Sequence, residues 1–123
     1  MKPTKSIIFI LLVACFGIIS CIQSENKEFL IGKWKGSEWL VDGNPSSYDA
    51  KNVHFEFMNS GGYTADFGGS KEKGTYILAE DKLYTTPEGQ LEIMVEIAKL
   101  TKDSLVFNMN RSGQAESLTL IKE

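Results

Sequence analysis

The sequence predicts an all-β domain, an eight-stranded antiparallel up-and-down barrel. Three observations predict it. From Phe29 onward apolar and polar residues alternate in short runs, and no 3.6-residue period is sustained. Each run ends in a cluster of Gly, Pro, Asn, Asp or Ser, the residues that tolerate or preset turn dihedrals. Eight strands joined this way would also leave two bare edges. Pairing the last strand with the first removes both, which makes a closed barrel the natural solution.

The first strand is expected over about Lys33–Val41, the second over Asn52–Met58, the third over Gly62–Phe67 and the fourth over Lys73–Ala79. The fifth covers Lys82–Thr86, the sixth Gln90–Leu100, the seventh Ser104–Asn110 and the eighth Glu116–Lys122. The gaps are Asp42-Gly43-Asn44-Pro45, Asn59-Ser60-Gly61, Gly68-Gly69-Ser70, Glu80-Asp81, Pro87-Glu88-Gly89, Lys102-Asp103 and Arg111-Ser112-Gly113. Connections this short join antiparallel neighbours. Successive side chains on a strand point to opposite faces, so the aliphatic and aromatic sets mark the interior. Val53, Phe55 and Phe57 point inward, opposite His54 and Glu56. Leu91, Ile93, Val95 and Ile97 oppose Glu92, Met94 and Glu96, and Leu105, Phe107 and Met109 oppose Asn108 and Asn110.

Trp39 breaks the pattern. Strict alternation from Trp34 puts Glu38 inside and Trp39 outside. A bulge at Gly36-Ser37 would shift the register by one, turning Trp39 inward and releasing Glu38 to water. The bulge is favoured, because a buried glutamate without a partner is costly.

Ahead of the barrel lie Lys2 and Lys5, an uncharged apolar run from Ile7 to Ile19, and then Ser20-Cys21. The run is short for a membrane span, which needs about 20 residues, and suits the core of a signal peptide. Ile18-Ile19-Ser20-Cys21 resembles the lipobox of bacterial lipoproteins. The resemblance implies cleavage before Cys21 and lipid on its thiol. Leu12-Val13-Ala14-Cys15 also resembles a lipobox, but it would strand Phe16–Ile19 on the mature protein, and an uncleaved anchor helix is the third reading. The expected organisation is a signal peptide over 1–20, a flexible tether over 21–28 and the barrel over 29–123. Ile22 after the cysteine, in place of Asp, resembles the pattern sorted to the outer membrane, with the membrane face left open.

Residues 1–20 hold two lysines and no acid, so a chain starting at Cys21 carries 11 basic and 16 acidic residues, a net charge near −5. Arg111 is its only arginine and no long basic run remains, which argues against a nucleic-acid partner. With Cys15 removed and Cys21 lipidated, no thiol is left for a disulfide. One histidine and no free cysteine leave no zinc site of nitrogen and sulfur ligands, and no cofactor is implied.

Gly32-Lys33-Trp34, at the start of the first strand, matches the Gly-x-Trp signature of lipocalins. The wider phrase Leu30–Lys35, the central Gly74-Thr75-Tyr76 and Leu100–Leu105 resemble the short lipocalin-like domains of bacterial lipoproteins, over residues 29–123. The resemblance implies that Trp34 closes the barrel base and stacks on a cation near the end of the last strand. Alternating strand direction puts Lys122 there and Arg111 at the opposite rim, a departure from the arginine-bearing members. The long connection from Asp42 to Lys51 fits the first loop with which lipocalins cover the barrel mouth.

No catalytic group stands out, and an enzyme is not expected. His54 alternates outward, leaving no base to activate a nucleophile. Glu92 and Glu96 lie roughly 13 Å apart along a strand, beyond the 5–9.5 Å used in glycoside hydrolysis. Gly61-Gly62 and Gly68-Gly69 are hairpin glycines, since no helix N-terminus follows either. The interior is the remaining candidate. Small barrels either fill with side chains or hold one small ligand, and strands of about seven residues leave a shallow cup. A pocket would open at the rim of the first, third, fifth and seventh turns, with Trp39, Tyr76, Phe107 and Met109 as lining. The expected function is a lipid-anchored envelope protein binding a small apolar ligand. The alternative is a filled barrel that contacts an envelope protein through rim loops such as Asp42–Ala50.

Overall fold

A computed structural model describes residues 26–123. The expected signal peptide, Cys15 and Cys21 lie outside the described residues. Residues 26–30 form one helical turn, with the Ile31 amide donating to the Lys27 carbonyl at 3.1 Å. Leu30 closes this turn fully buried, so the chain is packed against the domain two residues before the first strand begins.

The strands are β1 (Gly32–Val41), β2 (Asn44–Pro45), β3 (Val53–Phe57), β4 (Gly62–Phe67), β5 (Lys71–Ala79), β6 (Lys82–Pro87), β7 (Ile93–Leu100), β8 (Ser104–Arg111) and β9 (Gln114–Lys122). All pairings are antiparallel, each strand from β3 to β8 pairs with the next, and β1 pairs with both β3 and β9. That double pairing closes an eight-stranded barrel, as the alternation predicts. The two-residue β2 is an extra rung, folded back on the end of β1 by Asp42-Gly43. Both of those residues have positive φ, 52° and 79°, as a two-residue hairpin turn requires. Ser112-Gly113 repeats the device between β8 and β9 at φ 55° and 83°.

Strand direction defines the two ends. The base carries the start of β1, the turns after β3, β5 and β7, and the end of β9. The mouth carries the first connection, the turns after β4, β6 and β8, and the 3-10 turn Ala50–Asn52. At the base Trp34, Phe57, Tyr63, Leu83, Leu105 and Leu120 are sealed from water. Phe57 stacks on Tyr63 at 6.2 Å and meets Tyr76 edge-on at 5.2 Å, while Phe55 meets Phe107 edge-on at 5.7 Å. These rings fill the lower barrel with favoured aromatic geometries.

Two bulges set which residues point inward. In β1 the pairing with β9 slips between Gly36 and Glu38, which leaves Ser37 unpaired. Trp34 and Gly36 are buried, Glu38 is exposed, and Trp39 packs against the core. The expected register shift is therefore present. Gly36 is required for a second reason: a β-carbon there would overlap the Ala50 carbonyl of the first connection. In β7 the slip lies between Ile97 and Lys99 and brings both Ile97 and Leu100 onto the core.

The sixth strand begins later than expected. Gln90–Glu92 make no ladder bonds, so Leu91 has no face to follow and is 87% exposed, contrary to its inward assignment. Pairing starts only at Ile93 opposite Thr85.

Candidate ligand site at the barrel mouth

The Gly-x-Trp segment is structural. The Trp34 indole N–H donates to the Leu30 carbonyl at 2.8 Å, so the ring is buried without an orphaned donor. Lys122 Nζ lies 4.5 Å from the Trp34 ring centroid and donates to the Phe29 carbonyl at 3.1 Å and to the Ile31 carbonyl. Burial pushes the Lys122 ammonium below its ordinary pKa of 10.5, with Asp103 opposing the shift. Gly32 has φ +132°, and a side chain there would strike the Lys122 stem. Gly32, Trp34 and Lys122 thus form one plug at the base, and the cation is the lysine that strand direction selects.

The upper interior is different. Along β4 the inward side chains are Tyr63 and Ala65, both buried, and then Phe67, which is 39% exposed. Along β7 burial falls from Ile97 through Val95 to Ile93, which is 50% exposed although it faces inward. Phe55, Thr85, Val95 and Met109 are all half-buried. Phe67 meets Phe55 edge-on at 5.6 Å. These residues come from β3, β4, β6, β7 and β8 and mark the upper interior as less fully covered than the base.

The sequence-predicted lining residues divide. Phe107 and Trp39 both pair with Leu118, from opposite sides, and Met109 pairs with Glu116 on the same strand. These three lie together in the upper barrel, with Phe107 buried in the floor and Trp39 and Met109 half-buried above it. Tyr76 does not join them. It is buried near the base, where its hydroxyl donates to the Met58 carbonyl at 2.7 Å, and burial raises its pKa above 10.0.

Two inward carboxylates were not singled out from the sequence. Glu116 is buried in the mouth wall, accepts the Trp39 indole N–H at 2.8 Å, and has Arg111 Nε at 3.7 Å. Tyr48 of the first connection packs at a tilt against Trp39 at 4.6 Å, and Arg111 lies 5.8 Å from the Tyr48 ring centroid. The four side chains fasten the first connection to the end of the β8–β9 hairpin. Glu72, on β5, accepts the Tyr63 hydroxyl at 2.7 Å. Burial and the bond to Glu72 raise the Tyr63 pKa, while a bond from Thr85 opposes them. Starting the fourth strand at Lys73 left Glu72 outside it. Alternation carried back from Tyr76 through Gly74 would have found it.

The barrel wall holds an open groove of about 700 Å³, lined by outward residues including Lys33, His54, Asp66, Lys71 and Lys73 and also by Phe55, Ala65 and Glu72 of the inward row. His54 faces water there, with Nδ1 3.0 Å from Glu123 Oε1. Among the described residues no group of three or more His, Cys, Asp or Glu is placed to hold a metal ion. Nor is any helix among them long and apolar enough to cross a membrane.

Comparison with known proteins agrees with this architecture. A lipocalin-like domain family matches residues 30–107, from the Trp34 plug to the middle of β8. No curated protein sequence matches the chain. A lipocalin-like protein from Bacteroides uniformis is similar in structure, with a TM-score of 0.59 at 17% identity over 77% of this chain and 99% of that one. An uncharacterized protein from Bacteroides eggerthii aligns equally well, with a TM-score of 0.59 at 17% identity over 76% of this chain and 99% of its own. With the matched segment spanning most of the barrel, the chain belongs to the lipocalin-like domain family.

Proposed function

We propose that this barrel binds one small, mainly apolar molecule in the cup at its mouth and acts as a carrier or sensor rather than as an enzyme. The observation that supports this reading is the burial gradient along β4 and β7. Side chains that alternation directs inward are sealed at the base, yet Phe67 and Ile93 remain accessible at the mouth. A soluble barrel gains by covering such residues, at about 1.5–3 kcal/mol for each large apolar side chain fully buried. A ten-carbon chain seated there gains about 0.8 kcal/mol per CH₂ group before the cost of association. After an association cost of about 4 kcal/mol, dissociation constants of about 1 mM are therefore expected.

Titration with a neutral fluorescent naphthylamine tests this. Binding is expected to be saturable and to be lost in Phe67→Asp and Ile93→Asp, with the fold intact by circular dichroism. Equal binding by both variants would overturn the mouth as the site.

The domain is proposed to work tethered to a bacterial outer membrane through lipid on Cys21. The support is the lipobox-like Ile18-Ile19-Ser20-Cys21 behind an uncharged apolar run. Metabolic labelling with a palmitate analogue is expected in the wild type and in Cys15→Ser, and to be lost in Cys21→Ser. Label retained in Cys21→Ser would overturn the assignment.

A further inference from the structure

We propose that the cup selects an amphiphile whose polar end donates hydrogen bonds, above all a protonated amine, and that Glu72 is the group that reads it. The inference rests on the cup being a ligand site and adds the chemistry of the ligand's head.

Position comes first. Glu72 pairs with Ala65 on β4, in the same inward-facing row as Phe55 and Trp34. Barrel strands are tilted, so this row climbs from Trp34 at the base and reaches β5 close to the mouth. Glu72 therefore stands near the mouth, with Ala65 between it and Phe55, and is half-buried rather than sealed. Gly74 follows it on the same face. A β-carbon at Gly74 would overlap the Thr86 carbonyl, and the Tyr63 hydroxyl donates to Glu72.

Charge comes second. Among the described residues the ion pairs are His54–Glu123, Lys73–Glu88 and Arg111–Glu116. Arg111, on β8 at the mouth, is already engaged by Glu116 and the Tyr48 ring, and Lys51 and Lys71 at the same end are exposed. Lys122 is confined to the base plug. Glu72 is thus an inward carboxylate without an ion-pair partner among the described residues. One of its oxygens is committed to Tyr63, whose burial keeps that phenol protonated as a fixed donor. The other oxygen can accept from a ligand. Charge-assisted bonds of this kind are about twice as strong as neutral ones. A carboxylate head would meet like charge and offer no donor.

Three probes with one tail separate the possibilities: decylammonium, decanol and decanoate, titrated calorimetrically into the intact protein below their micelle concentrations. Decylammonium is expected to bind at least about tenfold more tightly than decanoate, with decanol between them. Glu72→Gln keeps an acceptor for Tyr63. It is expected to weaken decylammonium about tenfold while leaving decanol within about threefold and the melting temperature unchanged. Equal affinities for decylammonium and decanoate, or a preference untouched by Glu72→Gln, would overturn the role of Glu72 and leave the cup standing. Failure of all three probes to bind would overturn the cup itself, and the inference with it.

Discussion

Single residues carry the base of this molecule. Trp34 is fully buried, hydrogen-bonded to Leu30 and covered by Lys122. Trp34→Ala removes the largest core side chain and is expected to cost about 3–5 kcal/mol by chemical denaturation. Lys122→Ala strips two backbone carbonyls of a charged donor and is expected to cost about 1–3 kcal/mol. Titration separates the tyrosines. Tyr63 and Tyr76 have pKa values raised above 10.0 by burial, with the bond to Glu72 adding to the shift at Tyr63. Above pH 10 the unfolded chain therefore binds fewer protons at these sites than the folded one. Their contribution is complete below pH 10 and is lost as pH rises through the folded values. Lys122 works the other way, since its pKa is lowered from 10.5 and stability rises with pH between the lowered value and 10.5. Ultraviolet titration should show Tyr63 and Tyr76 ionising above pH 10; ionisation of either at or below pH 10 in the folded state would contradict the burial.

At the scale of elements, the strands were legible because alternation and turn chemistry agree. The expected third strand, Gly62–Phe67, coincides with β4, and most other boundaries fall within one or two residues. The bulge in β1 was legible too, because without it Glu38 would be buried and Trp39 exposed. What alternation could not show depends on tertiary contact. Leu91 reads as the first inward residue of a strand, yet ladder pairing starts two residues later. β2 and the 3-10 turn Ala50–Asn52 exist because the first connection folds back, and that turn is seated on Gly36. Tyr76 reads as lining, but the tilt of β5 places it at the base. The cup itself was only half legible: Met109 was identified, whereas Glu72 and Thr85 look like ordinary polar strand residues until neighbouring strands bring them to Tyr63. The bulge makes a sharp prediction. Gly36→Ala must push the Ala50 carbonyl aside and is expected to cost about 1–3 kcal/mol, measured as a shift in denaturation midpoint. A neutral outcome would mean that the first connection is not seated on β1.

For the whole molecule, closure is what turns eight short strands into a vessel. The pairing of β1 with β9 runs from Trp34–Lys122 at the base to Val41–Glu116 at the mouth, so a chain ending at Gly113 would expose two edges. Such a truncation is expected to abolish cooperative unfolding and to aggregate. The closed barrel is asymmetric along its axis, with a plugged aromatic base and the inward residues Phe67 and Ile93 partly exposed at the mouth. The proposed carrier function depends on that asymmetry. Methyl and aromatic NMR spectra recorded while the protein is titrated with decylammonium test it most directly. The account predicts saturable shifts confined to the mouth, at Phe55, Phe67, Ile93, Val95 and Met109, with Trp34 and Leu105 unmoved. Shifts centred on the outer groove around His54 and Lys73, or no saturable shift at all, would contradict it.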